Sequence, residues 1–258
     1  MRRTLRGFSL VELAMVLLIV GLLLISLMYT LSAASEQRAR EETNRRLEQA
    51  RELLLAFAQA RGRLPCPATL ASAGDESFTG GGTAALGGPC TANYAGYLPG
   101  KALGMQGLDE SGYALDAWNG RIRYAVSNNP AANFTTAATL KTNGIGTLPG
   151  DLVVCGSSTG TAPPSSCGGA ASVTNQNVIV VVVWSHGKNW NASTYTGNDE
   201  RANNKANPPS PPATNNNGIF VTHDVRPAGG TGGEFDDMMI WIPAGQLYGR
   251  MIAAGVLP

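Results

Sequence analysis

The sequence has no cysteine pair at Cys-x-x-Cys spacing and only two histidines, His186 and His223. This spacing argues against a structural zinc site of the usual sulfur–imidazole kind. No Gly-x-Ser-x-Gly elbow is present and no Walker loop, because Gly187-Lys188 lacks the upstream glycine that such a loop requires. The two histidines, with Asp224 and a serine, make a poor case for a hydrolase, and the chain is not expected to be an enzyme. An excess of one charge is also missing: 19 basic residues stand against 18 acidic ones, with Lys141, Lys188 and Lys205 scattered. That balance gives no electrostatic footprint for nucleic acid. There is no internal repeat. Proline is absent from residues 36–62, and charge is absent from residues 13–35.

The last two absences organise the N-terminal part. Arg2, Arg3 and Arg6 precede Gly7, an apolar run begins at Phe8, and 23 uncharged residues separate Glu12 from Glu36. As a helix, that stretch covers roughly 35 Å, enough for a bilayer core of about 30 Å. The expectation is a single transmembrane helix over about 13–35 with its basic N-terminus in the cytoplasm. An ordinary export signal, cut near Ala34 in Ser32-Ala33-Ala34, is the competing reading. Its apolar region has about 7–15 residues, shorter than the run seen here. Nor does such a signal gain from Glu12, since a carboxylate in hydrocarbon costs about 2–3 kcal/mol.

Beyond the apolar run the helix is expected to continue to Arg61. Residues 36–62 have Gly62 as their only glycine, and Pro65 follows. Glu41 with Arg45 and Glu42 with Arg46 stand four residues apart, a spacing that supports a helix weakly. Leu47, Leu54 and Phe57, with Ala50 and Ala58, form a stripe able to pack on a sheet. The predicted organisation is a basic leader (1–7), a spine helix (8–62) and a head (63–258). The head reads as β-rich and loop-rich, with 32 glycines in the chain and polar stretches between short apolar runs. Expected strands are Arg121–Val126, Asp151–Cys155, Val178–Trp184, Ile219–Thr222 and Met238–Ile242. Val178–Trp184 is nearly all β-branched, as in a strand buried on both faces. Residues 73–89, 156–172 and 197–217 read as surface loops, and Gln246–Val256 as a closing helix or strand.

The four cysteines, Cys66, Cys90, Cys155 and Cys167, all fall in the head, on the exported side of the expected topology, where disulfides persist. Three connectivities are possible. Proximity in sequence favours Cys66–Cys90 and Cys155–Cys167.

The string Gly7-Phe8-Ser9-Leu10-Val11-Glu12 resembles the cleavage motif of type IV prepilins and type II secretion pseudopilins. The resemblance implies cleavage by a prepilin peptidase after Gly7 and N-methylation of Phe8. It gives Glu12 the role of pairing with the free N-terminal amine of a neighbouring subunit, since a buried charge is tolerable when paired. Removing the leader leaves 16 basic residues against 18 acidic. The implied fold is α+β and pilin-like: one long N-terminal helix, half transmembrane and half amphipathic, packed on an antiparallel β-sheet head with long loops. Asp116-Ala117-Trp118-Asn119-Gly120 and the segments Trp184–Asn189 and Gly232–Asp237 are similar to head elements of major pseudopilins. In several of these proteins that end of the fold binds Ca2+, which here implicates Asn189, Asp236 and Asp237; Asn189 stands where an aspartate is expected.

The function implied is that of a structural subunit, minor or specialised, of a type IV pilus or a type II secretion pseudopilus. The implied partners are prepilin peptidase, other pilin or pseudopilin subunits, the inner membrane, and the assembly platform there with its ATPase. Location would be the bacterial inner membrane and then the filament. Two alternatives are an adhesive, ligand-binding minor pilin at a filament tip and an exported soluble protein cut near Ala34.

Overall fold

The computed structural model describes residues 10–129, 133–143, 149–192, 195–205 and 216–257, without the side chains of 26–32 and 143. The chain forms two compact units, Met1–Glu41 and Glu42–Pro258. Helix α1 (Leu10–Arg61) begins in the first and ends in the second.

The expected fold class and location need correction here. Among the described residues, no helix is long and apolar enough to cross a membrane. A transmembrane half over 13–35 and a single-pass position in the bacterial inner membrane are therefore not supported. Over the described side chains the apolar stretch is short and holds a carboxylate. The described apolar side chains run over Leu10–Ile25, 16 residues, about 24 Å of helix against the roughly 30 Å of a hydrocarbon core. Glu12 lies among them.

In the N-terminal unit, Arg40 pairs with Glu36 at 2.8 Å and Gln37 donates to Glu41 at 2.9 Å. In the second unit Glu42 holds both Arg45 (2.7 Å) and Arg46 (2.8 Å), so the expected Glu41–Arg45 pair gives way to an i,i+3 contact. The helix stops at Gly62, whose φ of +70° suits a residue without a Cβ. The Gly62 N–H donates to the Ala58 carbonyl at 2.8 Å.

The second unit is layered around a four-stranded antiparallel sheet. In order across the sheet, its strands are β1 (Gly96–Tyr97), β2 (Arg123–Val126), β4 (Ile179–Ser185) and β6 (Met238–Pro243). On one face, Val181 and Val183 of β4 share a core with Leu47, Leu54 and Ala58 of α1 and with Leu247, Tyr248 and Met251 of α4 (Ala244–Ala253). On the other face, Val182 and Trp184 pack with Leu152, Val154 and Phe220. Those residues belong to or adjoin β3 (Val153–Cys155) and β5 (Ile219–Val221), which pair in parallel. A register shift between Ile179 and Val181 leaves Val180 and Val181 in one core. From Val181 to Trp184, alternation sends successive residues into two cores, as suits a strand that is almost purely β-branched. The parallel pair is a second departure from an all-antiparallel head.

Two further helices complete the unit, α2 (Ala137–Asn143) and α3 (Asn198–Asn203). The latter replaces part of the expected loop 197–217, and residues 206–215 of that loop lie outside the described residues. Disulfides join Cys66 to Cys90 and Cys155 to Cys167. The first lies beside a buried ion pair in which Arg63 grips Glu76 at 2.6 and 2.9 Å between the rings of Phe57 and Phe78.

A candidate cation site

Three segments that are far apart in sequence meet at one end of β4. The strand ends at Ser185, and the chain turns through His186 into a 3-10 turn, Gly187–Asn189. The approach to β6 brings Asp236 and Asp237, and α3 brings Glu200. The turn requires glycine at 187. Its φ is +64°, and a Cβ there would lie 2.6 Å from the Asp236 Cγ and 2.7 Å from the Asp236 carbonyl oxygen.

Glu200, Asp236 and Asp237 are all buried, and one carboxylate oxygen from each lies within 4.8 Å of the others. Their environment is mostly donors from the backbone and from amides. The Lys188 N–H donates to Asp236 Oδ2 at 2.8 Å, and the Asp236 N–H donates to Glu200 Oε1 at 3.1 Å. Asn189 Nδ2 donates to Glu200 Oε1 at 2.9 Å, and Asn203 Nδ2 donates to Asp237 Oδ2 at 2.7 Å. His186 Nδ1 stands 3.2 Å from Asp237 Oδ1. Three acceptors are left over: Asn189 Oδ1, Glu200 Oε2 and Asp236 Oδ1 are buried with no donor.

Burial and mutual repulsion push the carboxyls of both Glu200 and Asp236 well above their usual range. An arrangement of this kind is unfavourable without a cation. Three orphaned hard oxygens around buried carboxylates form the donor set that Ca2+ takes, with backbone carbonyls and water completing six to eight ligands. The residues present therefore fit such an ion.

Of the residues expected from sequence, the structure brings Asn189, Asp236 and Asp237 together. Glu200 is an additional member that the sequence did not disclose. Its one signal is the acidic pair Asp199-Glu200 in the first turn of a short helix after Gly197. Asp116 acts elsewhere, as a clamp. Its Oδ1 accepts the N–H groups of Trp118 (2.8 Å) and Gly120 (2.7 Å), and its Oδ2 accepts the Ser185 hydroxyl at 2.5 Å. It thereby fixes the turn before β2 to the end of β4. His223 Nδ1 meets the Asp224 carbonyl oxygen at 2.7 Å and its Nε2 lies 3.1 Å from Asp199 Oδ2, while His186 sits beside Asp237. Gly7 and Phe8 lie outside the described residues. Glu12 is in the first turn of α1, in the N-terminal unit.

Comparison with protein-family models, with curated proteins and with solved structures finds no match to the chain.

Proposed function

We propose that the chain is a structural filament subunit, of a type IV pilus or a type II secretion pseudopilus, cut after Gly7 and assembled through its N-terminal helix. The observation that carries this reading is the surface of α1. From Leu10 to Ile25 its large apolar side chains are exposed, among them Leu10 at 86%, Leu18 at 64%, Leu23 at 65% and Ile25 at 67%. A helix that is apolar all round needs an apolar surround, and neighbouring copies of the same helix supply one in a filament. This surface directly follows Gly7-Phe8-Ser9-Leu10-Val11-Glu12, the string that resembles a prepilin cleavage motif.

In this reading prepilin peptidase frees and methylates the Phe8 amine, and Glu12 of an adjacent subunit pairs with it. A platform protein and its ATPase drive assembly. The head carries a loop at 187–189 set by Ca2+ held among Asn189, Glu200, Asp236 and Asp237. Three orphaned acceptor oxygens support the ion. Enlarged loops favour a minor or specialised subunit over the main building block.

Intact mass of the mature protein tests the proposal. The expected species begins at Phe8 and carries one added methyl group, and a chain beginning after Ala34 would refute the filament reading. Glu12→Ala should leave the cut intact and reduce incorporation into filaments. Normal filaments from that variant would exclude the pairing role.

A further inference from the structure

A cavity of about 460 Å³ opens beside the acidic cluster, sharing His186 with it, and the Arg121–Asp109 ion pair also lines it. Aromatic rings from Tyr97, Trp190 and Tyr195 line it, with amides from Asn119 and Asn204 and the guanidinium of Arg123. Its volume falls in the range that encloses a small organic ligand.

Arg123 is the unusual member. It is only 4% exposed, lies on β2, and stacks over Tyr97 at 4.4 Å, with the Trp184 ring at 5.7 Å. Its Nη2 donates to the carbonyls of Ala95 (2.9 Å) and Lys205 (3.3 Å), and its Nε is buried without an acceptor. No Asp or Glu pairs with it among the described residues. The neighbouring Arg121 differs, since its Nε binds Asp109 at 2.9 Å and its guanidinium covers Tyr113 at 4.2 Å. A charge removed from water without a counter-charge is expensive. A second charge brought into the cavity would offset that cost, and it must be negative.

The rest of the lining narrows the class. With Nη2 given to two carbonyls and Nε enclosed, Arg123 has Nη1 left to donate to an anion such as a carboxylate oxygen. Aromatic rings beside it offer flat apolar surfaces. The Trp190 ring is held in place by its Nε1 donating to the Trp118 carbonyl at 2.9 Å. The two asparagine amides provide both donors and acceptors, as hydroxyl groups require. Carboxylate, flat body and hydroxyls together describe an acidic sugar.

We propose that this cavity binds a carboxylate-bearing sugar, with the carboxylate at Arg123 and the sugar ring among Tyr97, Trp190 and Tyr195. The site does not depend on the filament reading, and it borders the cation cluster at His186. Within a filament it would make the subunit one that engages acidic polysaccharide.

Calorimetry on the full chain, with D-glucuronate, D-glucose, benzoate and inorganic phosphate as probes, tests this. The expected result is saturable binding of glucuronate, with glucose at least about tenfold weaker (about 1.4 kcal/mol). Arg123→Gln should abolish the difference between the two sugars. Because Arg123 is buried, a second variant guards against a folding artefact. Asn119 is exposed at the cavity rim with φ of +63°, a conformation that Asp also tolerates. Asn119→Asp should keep the fold by circular dichroism and weaken glucuronate about tenfold while sparing glucose. Equal affinity for glucose and glucuronate, or unchanged binding in folded Asn119→Asp, would overturn the site. Benzoate or phosphate binding more tightly than glucuronate would overturn the assignment to a sugar.

Discussion

Replacing Asp236 by Asn should change stability in opposite directions with and without calcium. The acidic oxygens of Glu200, Asp236 and Asp237 lie within 4.8 Å of one another in a buried setting. Two ionised carboxylates at that distance repel by about 3–4 kcal/mol at an effective dielectric constant near 20. Asn has nearly the same shape, retains an oxygen for the Lys188 N–H, and carries an amide that can donate to the orphaned Glu200 Oε2. In chelator, the variant should therefore be more stable than the parent, by about 1–3 kcal/mol after relaxation and partial protonation of the parent cluster. For a domain of this size that is a rise of several degrees in Tm.

Calcium should reverse the order. At a free concentration about 100 times its dissociation constant, the ion stabilises the parent by about 2.7 kcal/mol, and Asn in place of a charged ligand removes most of that. Thermal unfolding followed by tryptophan fluorescence, in EGTA and in millimolar Ca2+, gives the four numbers needed. Glu200→Gln should behave in the same way. If the parent Tm does not respond to calcium, or Asp236→Asn is the less stable protein in both buffers, the cluster is a hydrogen-bonded network and the cation argument fails.

Other consequences concern stability. Glu76→Ala leaves the Arg63 guanidinium, 0% exposed on its side chain, without its bidentate partner, and should cost about 3–5 kcal/mol in urea denaturation. The double variant Arg63→Met/Glu76→Leu should recover much of that loss. Burial would raise the Asp199 carboxyl, but the N–H and hydroxyl of Ser158, with Arg226 and His223, outweigh it and hold the group at about 2. A folded-state value below the unfolded one means that this contribution, about 1–2 kcal/mol after solvent screening, is present above about pH 4. It is lost as pH falls towards 2, and Asp199→Asn should flatten that part of the acid-unfolding profile. Replacing Cys155 and Cys167 by Ala opens a loop with a sequence separation of 12, and should cost about 3 kcal/mol. An unchanged unfolding midpoint would show that the segment is constrained without the bridge.

Strand chemistry was the most legible part of the fold. Val178–Trp184 reads as a strand covered on both sides, and β4 places Val180, Val181 and Val183 in the core with α1 and α4 and Ile179, Val182 and Trp184 in the core with β3 and β5. The parallel pairing of β3 with β5 was not legible. Each strand has three residues, too few for a pattern to specify partner or register. Helix α3 was hidden for a related reason: Asn198–Asn203 has no apolar face, and its place is set by buried polar contacts such as those of Asn203 with Val221. Glu200 was missed with it. The membrane expectation rested on the length of an uncharged run; among the described residues no helix is long and apolar enough to cross a membrane.

The distribution of buried charge ties the two candidate sites together. Only 14% of the residues are charged, yet the second unit buries Arg63, Arg123, Lys205, Asp116, Asp199, Glu200, Asp236 and Asp237, with Asp116 held by the Ser185 hydroxyl and two N–H groups. Arg63 is matched by Glu76, and Asp199 by Arg226 and His223. If the remainder served stability alone, the leftover cations and anions would be expected to pair with each other. Among the described residues no ion pair joins them. Lys205 donates to Asn217 Oδ1 and the Ile219 carbonyl and lies over Phe220, while Arg123 donates to backbone carbonyls. The acids gather at the end of β4, where His186 lies beside Asp237. Holding opposite charges in separate places costs more than joining them, so the separation is explained if each set meets a counterion from outside: a cation at Glu200, Asp236 and Asp237, and an anion at Arg123.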